Sequence, residues 1–110
     1  MEAIVVYITA PSEEEAAKLA LALVEERLAA CVNIVRSIRS IYRWQGNIED
    51  DAEVLMIVKT QKHNYPTLEK RVREMHSYSV PEIIALPIME GSADYLKWLE
   101  ESTEQHIDER

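Results

Sequence analysis

The sequence predicts one domain of the α+β class, in which helices pack on an antiparallel β-sheet. The chain has 110 residues, of which 47% are hydrophobic and 29% are charged, as is usual for a single globular domain. Short apolar runs rich in β-branched residues alternate with longer stretches in which apolar residues recur at helical spacing. Only two glycines and four prolines interrupt the chain, so the segment boundaries are easy to place.

The first strand and the first helix are predicted over residues 3–9 and from Ser12 to about Ala30. Residues 3–9 are β-branched and aromatic, which is typical of a buried strand. Ser12 is a favourable N-cap, and Glu15 three residues later completes the pattern of a capping box. An apolar stripe then continues at helical spacing from Ala16.

A long antiparallel hairpin is predicted next, from a strand over residues 31–45 and a return strand from Glu53 to Thr60. The apolar residues of the first strand share one parity, which predicts one common face: Val32, Ile34, Ile38, Tyr42 and Trp44. Gln45-Gly46-Asn47 is the turn signal, so the acidic residues 49–51 are expected in the turn region.

The second half of the chain predicts a helix, a strand and a shorter helix. The helix covers residues 64–76, with Asn64 as its cap and Pro66 in its first turn. The strand covers residues 82–89, and Pro87 within it indicates an edge strand or a bulge. Gly91-Ser92 opens the third helix, around Tyr95, Leu96 and Leu99. The polar tail, residues 103–110, is expected to fray.

The resulting order, β-α-β-β-α-β with an additional C-terminal helix, is the ferredoxin-like pattern of one antiparallel sheet with two helices on one face. The strands, however, are apolar on both sides: in the first, Ile4, Val6 and Ile8 point one way and Val5 and Tyr7 point the other. Two helices cover one face only, and the short third helix shields part of the other. Because monomers rarely leave a large apolar face bare, we expect the second face to pack against other subunits.

Composition restricts the class of partner. There are 20 acidic and 12 basic residues, giving a net charge of −8, which disfavours nucleic acid and anionic membranes and attracts cations. The single cysteine, Cys31, excludes an intramolecular disulfide, which fits a reducing compartment. The chain contains no apolar stretch long enough to cross a membrane, and Met1 to Ile4 lack the basic start of a signal peptide. These features predict a cytoplasmic protein.

Five segments together carry a family resemblance. They are Ala29–Ile34, Ser40–Gly46, Lys59-Thr60, His76–Ile83 and Tyr95–Leu99. In this order and register, up to about Ser102, the chain resembles the CutA family of divalent-cation tolerance proteins. The resemblance implies a ferredoxin-like homotrimer, built by packing of the long hairpins between subunits. It also implies a link to tolerance of copper and other divalent metals, with copper binding.

A more distant likeness, to the trimeric PII-type signalling proteins, implies ligand clefts between subunits. The alternative function is therefore a signalling or interaction module that binds a small ligand without catalysis.

The copper site that the resemblance implies is incomplete in this sequence. The family site uses a cysteine in the first strand and two adjacent histidines before the last strand. Those positions are Ile8, Met75 and His76 here, so only His76 matches. One imidazole is too few ligands for tight binding of a soft metal. The alternative role for His76 is a cation at the end of the second helix, and His63 and His106 are interpreted as surface residues.

Further candidate residues come from separate motifs and are expected to line an inter-subunit cleft. They are Cys31, Tyr42, Trp44, Lys59, Tyr78, Glu82 and Trp98. Aromatic rings with one charged pair suit either an interface core or a small-ligand pocket. Cys31 is also compatible with a buried structural thiol, since it follows a helix C-terminus, where a thiolate is disfavoured.

The acidic residues 49–51 have three possible roles: a solvated turn, a site for a hard cation, or ion pairs with Arg36, Arg39 or Arg43 of a neighbouring copy. An enzyme is not predicted, because the sequence contains no phosphate loop, no Ser/His/Asp pattern and no paired histidine ligands. An RNA-recognition domain is excluded as well, because strand 53–60 has no aromatic residue and the net charge is negative.

Overall fold

The computed structural model describes residues 1–105 and shows an α+β fold with one open, four-stranded antiparallel sheet and three α-helices in that part of the chain. The elements are β1 (Ala3–Ala10), α1 (Glu13–Glu25), β2 (Cys31–Trp44), β3 (Asn47–Gln61), α2 (Tyr65–Met75), β4 (Ile83–Pro87) and α3 (Ala93–Ser102). A 3-10 turn, Lys62–Asn64, leads into α2. The strand order is β2-β3-β1-β4. His106, interpreted as a surface residue, lies outside the described residues.

The main core lies between one face of the sheet and the helices α1 and α2. Val6 and Ile8 of β1 are fully buried beside Met56 and Val58 of β3. They pack with fully or almost fully buried helix residues, namely Leu19 and Leu23 of α1 and Leu68 and Val72 of α2. The apolar parity of the strands and the apolar stripes of the helices therefore form this core as the sequence predicts.

Helix α1 ends at Glu25, so the predicted end near Ala30 is wrong. Arg27 adopts a left-handed conformation with φ of 60°. Its N–H donates to the Val24 carbonyl at 3.1 Å, and the Leu28 N–H donates to the Leu23 carbonyl at 2.9 Å. These two bonds form a Schellman motif, which normally has glycine where this chain has Arg27. Arginine is not a typical residue at this position, so the sequence does not indicate that the helix ends here.

The hairpin turn is shorter than predicted, and β3 is longer. Gln45 and Gly46 both have positive φ, 49° and 85°, as a two-residue type I′ turn requires, and Trp44 already pairs with Asn47. Strand β3 therefore begins at Asn47 and not at Glu53. The acidic residues 49–51 lie within this strand, so their predicted place in the turn is wrong.

A β-bulge divides β2 into two parts, and the even-numbered residues of these parts lie on opposite faces of the sheet. Val35 pairs with Leu55, whereas Ile38 pairs with Glu53, so β2 contains one extra residue between the two pairs. Val32 and Ile34 pack against the main core. Beyond the bulge the parity is reversed, and Ile38, Tyr42 and Trp44 lie on the other face. The prediction that these five residues share one face is therefore wrong.

The second face of the sheet is apolar and largely uncovered in the single chain, and we call it the open face. Its apolar residues are Val5, Tyr7, Val35, Leu55, Ile57, Ile84 and Leu86. Val35, Ile84 and Leu86 are 39%, 51% and 45% exposed. Helix α3 covers only one end of this face, where Leu99 packs on Ala3 and Ala30. The expectation that the third helix shields only part of this face is confirmed.

Strand β4 is an edge strand, as Pro87 indicates, although it is shorter than the predicted 82–89. The third helix begins after Ser92 as predicted, and the Tyr95 N–H donates to the Ser92 Oγ at 3.3 Å.

The end of α3 is anchored, so the expectation that the chain frays from Thr103 is wrong for this residue. Thr103 is fully buried, and its Oγ1 donates to the Leu99 carbonyl at 2.8 Å and accepts from Gln61 Nε2 at 2.9 Å. Asn64 Nδ2 donates to the Thr103 carbonyl at 3.1 Å. The Asn64 side chain is thus used here and does not cap α2, which corrects its predicted role. Residues 106–110 of the predicted tail lie outside the described residues.

The Schellman motif at Arg27 gives a test of the α1 end. We expect Arg27→Gly to be about 0.5–1 kcal/mol more stable than Arg27→Ala, because a left-handed residue with a Cβ costs about 1–2 kcal/mol and the flexibility of glycine offsets part of that gain. Both variants lose the arginine side chain, so their difference isolates the backbone effect. The measurement is urea unfolding at one protein concentration; equal stabilities would contradict the proposed strain.

Candidate functional site

A cleft of about 670 Å³ lies where the part of the hairpin beyond the bulge passes the loop that precedes β4. Its lining residues are Thr9, Arg39, Ser40, Ile41, Tyr42, Trp44, Glu53, Tyr78, Ser79, Val80 and Glu82. The bulge places Tyr42 and Trp44 on the open face, which is what brings their rings to this cleft. The cleft therefore depends on the extra residue in β2.

Glu53, which is buried, and Tyr78, which is half-buried, form a hydrogen-bonded pair in the cleft. Glu53 is 6% exposed, and the Tyr78 hydroxyl donates to its Oε2 at 2.9 Å. Burial raises the pKa of Tyr78 well above its ordinary value, and the hydrogen bond to the Glu53 carboxylate raises it further. The phenol therefore remains a protonated donor to Glu53 over the physiological range.

The acidic residues 50 and 51 are satisfied within the hairpin. The Tyr42 hydroxyl donates to Asp51 Oδ2 at 2.9 Å, which raises the pKa of Tyr42 to about 12. Arg39 donates to both oxygens of Asp50, at 2.9 and 2.7 Å, and holds the pKa of Asp50 below its usual value. Asp50 thus pairs with an arginine of its own chain, whereas the sequence suggested an arginine of a neighbouring copy.

His76 is buried directly behind the cleft, and both of its ring nitrogens have protein partners. Nε2 lies 2.8 Å from the Thr9 carbonyl, and Nδ1 accepts the Tyr78 N–H at 3.0 Å. This pattern assigns the neutral ring with its proton on Nε2. The ring also packs against that of Tyr78, with centroids 4.9 Å apart and a tilt of 47° between the ring planes. His76 thereby links the end of β1 to the loop that carries Tyr78.

Glu15 supports the same loop from α1. Its Oε2 accepts from both the N–H and the hydroxyl of Ser77, at 3.0 and 3.1 Å, and lies 3.3 Å from His76 Nδ1. The predicted capping box is confirmed only in part. The Glu15 N–H donates to Ser12 Oγ at 3.2 Å, but the Glu15 carboxylate bonds to Ser77 and makes no return bond to Ser12.

The described residues do not form the family copper site within one chain. Ile8 is fully buried in the core and offers no ligand atom, and Met75 packs against the same core. Among residues 1–105, no three His, Cys, Asp or Glu side chains are arranged to hold a metal ion. His76 already uses both ring nitrogens, so its neighbourhood in a single chain fits a structural role better than a metal centre.

The seven other candidate residues form two groups. Tyr42, Trp44, Tyr78 and Glu82 line the cleft. Cys31, Lys59 and Trp98 lie toward the α3 end of the open face, about 20 Å away along β3.

In this second group, Lys59 Nζ donates to Asn33 Oδ1, and Cys31 Sγ lies 3.7 Å from the same oxygen. Tyr95 lies between Cys31 and Trp98. Burial raises the pKa of Tyr95, and Cys31 contributes a smaller increase. The ring centroid of Tyr95 is 5.4 Å from that of Trp98.

Three important residues were missed by sequence reasoning. Glu53 and Lys59 stand at the two ends of the apolar run 54–58, and a charge beside such a run marks a candidate. Asn33 is a polar residue within the apolar run of β2 and gives a similar signal. Thr9 contributes a backbone carbonyl, which leaves no trace in the sequence.

No helix in residues 1–105 is long and apolar enough to cross a membrane.

Residues 4–102 match the family model described as CutA1 divalent ion tolerance protein. The divalent-cation tolerance protein CutA of Thermus thermophilus is 61% identical over 99 residues, covering 90% of this chain and 96% of that protein. The solved Thermus structure superimposes with a TM-score of 0.90 at 59% identity, covering 93% and 99% of the two chains.

Two further relatives carry names that specify different compartments. Protein CutA, chloroplastic, of Arabidopsis thaliana is 51% identical over 100 residues, covering 91% of this chain and 55% of that protein. A structure described as the periplasmic divalent cation tolerance protein CutA of Archaeoglobus fulgidus has a TM-score of 0.90 at 45% identity, covering 93% and 99% of the chains. The chain also spans about half the length of its mammalian relatives. The predicted cytoplasmic location therefore stays a prediction.

The match covers the strands, the hairpin and all three helices of the described fold, and the family is named for divalent-cation tolerance. By sequence and by fold, this chain belongs to the CutA family of divalent-cation tolerance proteins.

Proposed function

We propose that the chain is a homotrimeric divalent-cation tolerance protein of ferredoxin-like topology, which binds copper or another divalent metal ion and acts in the cytoplasmic response to metal ions. The open face is the observation that carries the assembly. It presents seven apolar residues, of which Ile84 and Leu86 are about half exposed. Such a continuous apolar surface is characteristic of a protein–protein interface.

Unpaired charges at the two ends of this face support contact between copies. Within residues 1–105, Lys59 at the α3 end and Glu82 at the cleft make no ion pair. If assembly takes such a charge out of water, the burial is costly unless the charge finds a partner of opposite sign there. We propose that Lys59 of one copy meets Glu82 of the next, so that the two groups of candidate residues complete one inter-subunit cleft.

The metal ion is proposed to bind with ligands from more than one copy, because one chain supplies too few. His76 is the candidate ligand in each chain, with Glu15 Oε2 3.3 Å from its Nδ1. Copper(II) accepts nitrogen and oxygen donors of these types. Metal binding at Nδ1 would release the Tyr78 N–H, so it would also loosen the loop at the cleft.

A second candidate function is a PII-type signalling module that binds a small ligand without catalysis. The cleft of about 670 Å³ favours it, since pockets for small molecules have this size and combine apolar walls with a few polar groups.

The assembly is tested by the solution mass. We expect light scattering to give three times the mass of one chain, and Ile84→Glu to lower this mass because it places a charge in the open face. Leu21→Glu is the matched control, since Leu21 is 62% exposed on α1, away from the open face, and Ile84 is 51% exposed. A wild-type mass of one chain at micromolar concentration would refute the trimer, and an unchanged mass for Ile84→Glu would remove the open face from the interface.

The metal proposal is tested by calorimetry with Cu²⁺. We expect binding that weakens at least tenfold in His76→Asn, because the coordinating imidazole is lost while asparagine can still accept the Tyr78 N–H. The exposed His63 provides the control His63→Ala, which should bind as the wild type does. Equal affinities for wild type and His76→Asn would exclude His76 as a ligand.

A further inference from the structure

We propose that the cleft binds an organic ammonium ion, meaning a small molecule that carries a protonated amine on an apolar body. The inference rests on the second proposed function, the ligand-binding cleft, and names its class of ligand.

Glu53 is the first observation. This carboxylate is 6% exposed, and within residues 1–105 it accepts one side-chain hydrogen bond, from the neutral Tyr78 hydroxyl to Oε2. Its Oε1 accepts no side-chain hydrogen bond there, although it is not sealed from solvent. A largely buried carboxylate without a cationic partner favours a ligand that brings positive charge and N–H donors.

The second observation is that nothing in the described part of the cleft neutralises this charge. Glu82 adds a second carboxylate, and it makes no ion pair in residues 1–105. Arg39 is the one cation among the lining residues, but both Asp50 oxygens hold its guanidinium. Within residues 1–105 the cleft therefore carries two carboxylates without a cationic partner. In the proposed assembly Lys59 of the next copy meets Glu82, and Glu53 then keeps its negative charge uncompensated, which disfavours anionic ligands.

The third observation is the aromatic wall. The rings of Tyr42, Trp44 and Tyr78 line the same cleft as the two carboxylates. Aromatic faces attract ammonium groups and also pack against the apolar part of such a molecule. A bare divalent metal ion fits this wall poorly, because it needs several converging oxygen or nitrogen ligands, and residues 1–105 contain no such group.

Benzylammonium is a suitable probe, with benzyl alcohol and benzoate as neutral and anionic controls of the same shape. In calorimetry on the intact protein at constant ionic strength, we expect benzylammonium to bind once per chain and at least tenfold more tightly than either control. Glu53→Gln should weaken benzylammonium at least tenfold, since glutamine still accepts the Tyr78 hydrogen bond but removes the charge. Glu82→Gln should weaken benzylammonium binding threefold or more. Because Glu82 is exposed, this variant should fold as the wild type does.

The matched control is Glu90→Gln, which removes an exposed carboxylate outside the cleft and should leave the affinity unchanged. Binding of benzoate or benzyl alcohol within twofold of benzylammonium would overturn the proposal. Equal affinities for wild type, Glu53→Gln and Glu82→Gln would overturn it too. If the sample has the mass of a trimer but binds no benzylammonium, this inference is overturned, whereas the proposed assembly is not. Such a result is expected if a neighbouring copy fills the cleft.

Discussion

The sheet is apolar on both faces, and the rest of the structure follows from how each face is used. One face carries α1 and α2 and forms the core around Ile8 and Met56. The other has only α3 at one end, where Leu99 is buried. Because the open face is left with exposed β-branched and aliphatic side chains, the single chain is an incomplete unit in terms of buried apolar area. The assembly proposed above would cover this face.

The bulge in β2 makes the far end of this face different from its middle. The extra residue between Val35 and Ile38 reverses the parity of the strand, so Tyr42 and Trp44 join the face of Thr9 and Glu53. The same face is thus aliphatic near β4 and aromatic and acidic along the hairpin. An aliphatic surface suits another protein, whereas rings with carboxylates suit a ligand, which is why we assign the two parts different partners.

His76 lies between the core and the cleft, and both of its ring nitrogens contact backbone groups. Its ring joins the Thr9 carbonyl to the Tyr78 N–H, and Glu15 holds Ser77 beside it. Tyr78 in turn holds Glu53, so a chain of hydrogen bonds runs from the end of β1 and the start of α1 into the cleft. The positions of Tyr78 and Glu53 in the cleft are therefore fixed in part by groups that lie outside it.

The sequence by itself determined the family, the order of the elements and the presence of two apolar faces, because periodicity, caps at Ser12 and Ser92 and five motifs are local signals. It also selected Tyr42, Trp44, Tyr78 and Glu82, which the fold brings to one cleft. Only the tertiary structure decided the end of α1 at Arg27, the bulge and the anchoring of Thr103. The end of α1 depends on a left-handed Arg27, which the residue type does not indicate. The bulge and the anchoring of Thr103 depend on pairing with distant residues, Leu55 and Gln61, and such pairing leaves no periodic signal along the chain. For the same reason the separation of Lys59 from the cleft emerged only with the register of β2 against β3, since that register decides which part of β3 lies beside Tyr42 and Trp44.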